Sequence, residues 1–226
     1  MYYRSGAISG SFTVTASSGD AASGIAGYTF PALGTNWTST PGSTGVNTYS
    51  WSGAPAAPGA PSVTSTDNAV LASAGRSFTM VADDTAPTAG TISYADGTTS
   101  STSVSVSFTT GTDAGSGIAS RLLQRASASL TNGTCGSYGA FATVSGGTNP
   151  SSPYSDTVTA GSCYRYQYVV TDNVGNATTA SSASVVKVSM TYSALVLATA
   201  GLHNYWRLED TPTSSDTFTD FYATSL

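Results

Sequence analysis

The chain has 226 residues, of which only 8% are charged, and it carries a net charge of −5 with no cluster of Lys or Arg. Nucleic acid and anionic membrane surfaces need a basic footprint, so both are excluded as partners, and no stretch approaches the roughly 20 apolar residues that would insert in a bilayer. With 39% apolar residues, thirteen Tyr, seven Phe and three Trp, the composition is also unlike a disordered chain, which combines low hydrophobicity with high charge. Helix formers are scarce: Lys187 and Glu209 are the only residues of their kinds, and the remaining acids are Asp, which suits turns. Domains mostly run to about 100–150 residues, so the length favours two.

The first alternating run, Phe12-Thr-Val-Thr-Ala16, predicts a strand. It is followed by Asp20-Ala-Ala-Ser-Gly-Ile-Ala26, a Gly/Asp turn entering a second strand. Trp37, Tyr49 and Trp51 have two readings: a flat exposed platform for a sugar ring, or core rings that dominate the packing of a small β domain. The core reading takes precedence. Ser65-Thr-Asp-Asn-Ala69 marks another turn, and Ser77 to Val81 another β-like run. The pattern then breaks at Ala82-Asp-Asp-Thr-Ala-Pro-Thr88. There Pro87 has no N–H and biases Ala86 to an extended conformation, so the domain boundary is placed at this point.

Beyond the boundary the motifs recur. Val104-Ser-Val-Ser-Phe108 precedes Asp113-Ala-Gly-Ser-Gly-Ile-Ala119, and Val170-Thr-Asp-Asn-Val174 precedes the run Ser184 to Val188. Asp20 to Asp113 is 113 − 20 = 93 residues and Asp67 to Asp172 is 172 − 67 = 105, so the second repeat carries a loop insertion between its motifs. Strands are predicted near 91–94, 103–109, 118–125, 140–144, 155–159, 163–171 and 182–188. In Cys163-Tyr-Arg-Tyr-Gln-Tyr-Val-Val170, alternation puts Tyr164, Tyr166, Tyr168 and Val170 on the core face, opposite Cys163, Arg165 and Gln167. From Tyr192 the character changes, with apolar Ser193-Ala-Leu-Val-Leu-Ala198 and then Asn204-Tyr-Trp-Arg-Leu-Glu-Asp210.

Strand signals spaced 8 to 15 residues apart, with no sustained 3.6-residue period, indicate an all-β sandwich architecture. The Asp-x-x-Ser-Gly-Ile-Ala turn, Trp37 with Tyr49-Ser-Trp51, the Asp-Thr-Ala-Pro linker and Thr171-Asp-Asn-Val-Gly-Asn176 resemble the bacterial immunoglobulin-like repeats of large secreted and cell-surface proteins. The resemblance covers roughly residues 1–188 and implies two tandem immunoglobulin-like β-sandwiches, 1–85 and 86–188. A short C-terminal β-prone tail, 189–226, looks like the truncated start of a laminin-G or concanavalin-like unit. The motifs of the immunoglobulin-like resemblance carry no activity, and what that resemblance implies is scaffold and location: extracellular, on a cell or virion surface.

Cys135 and Cys163 form an even count in such a composition, so a disulfide is expected over a metal pair. It would close a loop of about 28 residues and contribute roughly 3–4 kcal/mol, tying the loop Asn132-Gly-Thr-Cys-Gly to the start of a strand. The Asp residues in Gly-rich turns are read first as caps of their own backbone. Asp83, Asp84, Asp113 and Asp172 are the oxygen ligands that would take Ca2+ near the junction, with Asp83 and Asp84 the foremost exceptions to turn capping. No other cofactor is expected.

Catalysis has little to work with: His203, Lys187, Glu209 and a cystine make no cleft constellation. The expected function is therefore non-catalytic, that of a structural spacer in an extracellular surface or fibre protein, its partners being other copies or neighbouring domains of the same fibre. Two alternatives stand beside it. In one, the chain is a filament subunit whose tail strand, Ala194, Leu195, Val196, Leu197 and Ala198, completes a neighbour's sheet. In the other, it is a glycan-binding adhesin or phage-fibre segment using the aromatic residues or a missing third domain.

Overall fold

A computed structural model describes residues 1–6 and 8–191. All regular structure among them is β. In chain order the strands are β1 (Tyr2–Tyr3), β2 (Gly10–Thr15), β3 (Ile25–Thr29), β4 (Trp37–Pro41), β5 (Val46–Trp51), β6 (Ser62–Asp67), β7 (Arg76–Ser77) and β8 (Val81–Ala82). They continue as β9 (Ile92–Tyr94), β10 (Gly97–Thr99), β11 (Ser103–Phe108), β12 (Ile118–Thr131), β13 (Thr134–Cys135), β14 (Ala142–Thr148), β15 (Tyr154–Thr157), β16 (Ser162–Asp172), β17 (Ala177–Ser181) and β18 (Val186–Val188).

The first repeat forms two three-stranded sheets, ordered β2-β5-β4 and β3-β6-β7, with β1 pairing β8 in parallel. Its core holds Tyr3, Leu33, Tyr49 and Met80, against which Phe12, Val14, Phe30, Trp37, Trp51 and Phe78 pack. The second repeat has the three-stranded sheet β15-β11-β9 and a seven-stranded sheet along β10-β18-β16-β12-β13, with β14 on β12 and β17 on β16. Val104, Val106 and Phe108 alternate inward from β11. On β16 the tyrosine face is the core face as expected, with Tyr164, Tyr166, Tyr168 and Val170 all buried. Phe108 stacks on Tyr168 at 4.5 Å between ring centroids.

Contacts group the chain into two compact units. One holds Met1–Gly90 with Thr110–Arg121 and Val169–Thr179; the other holds Thr91–Thr109, Leu122–Tyr168 and the described residues from Ala180. The sequence division at 85/86 follows the repeats, whereas this grouping places the linker with segments 110–121 and 169–179 of the second repeat.

The expected disulfide joins Cys135 to Cys163, with Cα atoms 5.9 Å apart. It explains why Cys163 is buried although it lies on the face opposite the tyrosines. Elsewhere the strand expected near 140–144 runs Ala142–Thr148, that near 182–188 is confined to Val186–Val188, and Ala177–Ser181 is a strand that was not expected. Around the disulfide, two details differ from the sequence reading. Strand β12 runs to Thr131, well past 125, and Cys135 sits in a hairpin strand, Leu130 opposite Cys135 and Thr131 opposite Thr134. Asn132 and Gly133 have φ of 49° and 74°, the two-residue turn that matches strand twist and continues a ladder where a loop was expected.

Residues 67–71 and 172–176 fold alike. Asp67 accepts from the Leu71 amide at 2.8 Å, and Asp172 from the Asn176 amide at 2.8 Å. Position four of this turn is left-handed in both, at Gly175 (φ 91°) and at Val70 (φ 68°). A β-branched residue there is strained by about 1–2 kcal/mol, and Val70 is 82% exposed, so no packing offsets the strain. Val70→Gly is expected to stabilise the protein by about 1 kcal/mol, allowing for glycine's greater entropy loss. A thermal melt would show it as a Tm rise of about 2–4 °C; a fall in Tm would contradict the account.

Candidate metal centre

The two recurrent sequence motifs are partners in space. In the second repeat, the Asn173 amide donates to the Gly117 carbonyl at 2.9 Å, and its side-chain amide donates to the Ser116 carbonyl at 2.7 Å. In the first, Asn68 makes the same pair of bonds to Gly24 (3.1 Å) and Ser23 (2.7 Å). Each Asn thus clasps the Asp-x-x-Ser-Gly turn against the Thr-Asp-Asn turn. Asp20 closes its own turn by accepting from the amides of Ser23 (2.6 Å) and Gly24 (2.9 Å). Asp113 accepts from the Gly117 amide at 2.6 Å.

In the second repeat this clasp brings Asp113 beside Asp172, and the linker adds Asp83. Oxygens of the three carboxylates lie within 4.8 Å of one another. Asp83 and Asp172 are buried, at 5% and 2% exposure. Asp83 accepts from the Ser116 amide at 2.6 Å, and Asp172 from the Val174 amide at 2.9 Å. Asn176, itself 3% exposed, donates from its side chain to the Asp83 carbonyl (2.9 Å) and the Asp172 carboxylate (2.7 Å). Burial raises the Asp83 carboxyl, but hydrogen bonding from Ser116 and the Thr85 amide outweighs it and holds the group below the usual carboxylate range. Three carboxylates this close repel one another unless a cation or protons sit among them, and a hard oxygen set of this kind suits Ca2+.

Asp84 does not join the other three. Successive side chains of an extended segment point to opposite sides, and Asp84 turns to Ser5, which donates to it from both its amide (2.7 Å) and its hydroxyl. The aromatic trio forms no exposed platform. Tyr49 is fully buried with its hydroxyl donating to the Pro31 carbonyl at 2.7 Å. Trp37 and Trp51 pack edge-on against Tyr3, at 5.3 and 6.2 Å between centroids, and donate to the carbonyls of Ala56 and Arg4. The alternating register that pairs Trp37 with Trp51 and Phe12 with Tyr49 turns these rings inward. The predicted tail strand 194–198, His203 and Glu209 lie outside the described residues.

The two repeats differ at two positions beside this cluster, neither of them apparent as a site residue in the sequence alone. A Cβ on Gly115 would lie 2.4 Å from an Asp83 oxygen, and the first repeat has Ala22 at the matching position. Likewise Leu71, 69% exposed, stands where the second repeat has Asn176. Both departures track the presence of Asp83, and they were the available signal.

A second buried polar group is structural. Arg125 donates to Asp156 at 2.7 Å and Tyr166 donates to the same carboxylate at 2.8 Å. Burial, then the Asp156 carboxylate, pushes the Tyr166 hydroxyl far above its ordinary value, so it remains a donor.

No family model matches the chain, and no curated protein sequence matches it. Among solved structures, the fibronectin(III)-like modules of Clostridium thermocellum CbhA are similar at 12% identity and TM-score 0.38, over 84% of this chain and 89% of that one. The tandem Ig repeats of Dlar are similar at 14% identity and TM-score 0.26, over 84% and 93%. The N-terminal Ig1-2 module of the Drosophila receptor protein tyrosine phosphatase DLAR gives the same identity, score and coverage.

The Asp20 turn yields a pH prediction. The Ser23 amide and hydroxyl, against burial, hold this carboxyl below its usual range. A depressed carboxyl contributes stability above about pH 4 that disappears as the pH falls through its folded value. Asp20→Ala should therefore lower Tm at pH 7, and the gap should close by about pH 2. An equal gap at both pH values would contradict this.

Proposed function

We propose that the chain is a non-catalytic structural module of an extracellular surface or fibre protein, in which Ca2+ bound by Asp83, Asp113 and Asp172 fastens the linker 83–88 to the loops of the second repeat. The observation that carries this reading is the convergence of three carboxylates from three separate segments, two of them buried, around a clasp that repeats in the sequence. Calcium would replace mutual repulsion with shared attraction, so the linker becomes a fixed strap.

Several bonds already run the same way. Thr178 donates to the Pro87 carbonyl at 2.7 Å, Thr88 and Thr112 exchange bonds near 3 Å, and Arg4 donates to the Gly175 carbonyl at 3.0 Å. The cystine supports an oxidising compartment. A module whose carboxylates, hydroxyls and aromatic rings serve turns, straps and core has a mechanical role: it spaces and holds.

Thermal melts with calcium and with EDTA test the reading. Calcium at a hundredfold excess over its Kd should stabilise the protein by about 2.7 kcal/mol, reversed by EDTA. Asp113→Asn, and Gly115→Ala, which displaces the Asp83 carboxylate, should each lose most of that increment while still folding. A wild-type melt that calcium leaves unmoved would overturn the proposal.

A further inference from the structure

The second repeat shows what its β11 edge normally holds. Strand β11 is paired on both sides, by β15 and by β9, whose Ile92, Ser93 and Tyr94 lie opposite Phe108, Ser107 and Val106. Ile92 is buried there, and Tyr94 packs edge-on against Tyr166 at 5.0 Å. Aligning the two alternating runs places Val14, Thr15 and Ala16 where Val106, Ser107 and Phe108 stand.

In the first repeat that position has no partner strand among the described residues. Strand β2 pairs β5 alone. The Ala16 amide donates to the Gly45 carbonyl at 2.7 Å, so alternation turns the amides of Thr13, Thr15 and Ser17 away from β5. Beside this edge runs a groove of about 530 Å3 whose apolar lining includes Val14, Ala16, Tyr28, Val63 and Phe78. An edge of unpaired amides beside an apolar groove is a template for another strand.

We infer that this groove accepts a β-strand from a second copy of the same chain, residues Ala194–Ala198, in the place that β9 takes in the second repeat. Three features of the donor fit. From Ser189 to Leu202 the sequence carries no charge, and 226 − 191 = 35 residues follow the last described one, enough to reach a neighbour. An extended Ala194–Ala198 puts Leu195 and Leu197 on one face, the spacing of Ile92 and Tyr94. Five extended residues span about 17 Å, the length of the edge from Thr13 to Ser17. Each chain then both gives and accepts a strand, a head-to-tail contact that propagates. The inference is independent of the calcium site.

The test uses the full chain in EDTA, with mass followed by light scattering against concentration. The wild type should grow beyond a dimer. Thr15→Pro removes an amide that faces away from β5, where proline is tolerated in a strand, and blocks the acceptor; Leu195→Asp spoils the donor. Each variant alone should stay monomeric with its sandwiches intact by thermal melt. An equimolar mixture should stop at a heterodimer, because one variant retains only its donor and the other only its acceptor. A wild type that remains monomeric at every concentration, growth that survives Leu195→Asp, or a mixture that stays monomeric would each overturn the inference. Leu195→Asp leaves the sequence of both repeats, 1–188, unchanged, so it remains decisive even if Thr15→Pro misfolds.

Discussion

Everything in the candidate site hangs on one side chain, the asparagine that follows the turn aspartate. An asparagine amide has two donors on one nitrogen, and its own backbone N–H lies close by. Asn173 uses both kinds of donor on the carbonyls of Ser116 and Gly117. Bonds of this kind are worth about 0.5–1.5 kcal/mol each, but their geometric effect is larger. They hold two loops, 57 residues apart in sequence, at a fixed separation. With the loops held, Asp113 and Asp172 have no freedom to avoid one another.

The two repeats share this clasp and differ in what they do with it. The first repeat has Ala22 and an exposed Leu71 around Asp20 and Asp67, and no third carboxylate joins them among the described residues. In the second, glycine at 115 leaves room for the Asp83 carboxylate, and Asn176 holds the Asp83 carbonyl. The same turn therefore serves as a plain loop closure in one repeat and as a receptor for the linker in the other. Val70 and Gly175 mark the contrast in backbone terms, one strained and the other at ease in the same left-handed conformation.

Much of the architecture was legible because alternation is a local signal. The run Val104–Phe108 and the tyrosine face of β16 both show their core side at period two. The recurrence of the two motifs was legible as well, but their partnership was not, since nothing local says that residues 57 apart meet. Asp83 and Asp84 looked equivalent in sequence, and only the alternation of an extended segment sends one to the cluster and the other to Ser5. The hairpin holding Cys135 passed for a loop because its strands are polar, although Asn132-Gly133 carried the turn signal. That β2 has a partner on one side alone among the described residues is a non-local property, visible once β9 supplies the template.

The claim at the centre of this account is that the clasp builds a cation site from Asp83, Asp113 and Asp172. It is tested most directly by anomalous diffraction from crystals grown with calcium. The account predicts an anomalous peak among the three carboxylates, with oxygens at about 2.3–2.6 Å from it. Calcium-grown crystals in which the three side chains stand apart, with no anomalous density between them, would contradict it.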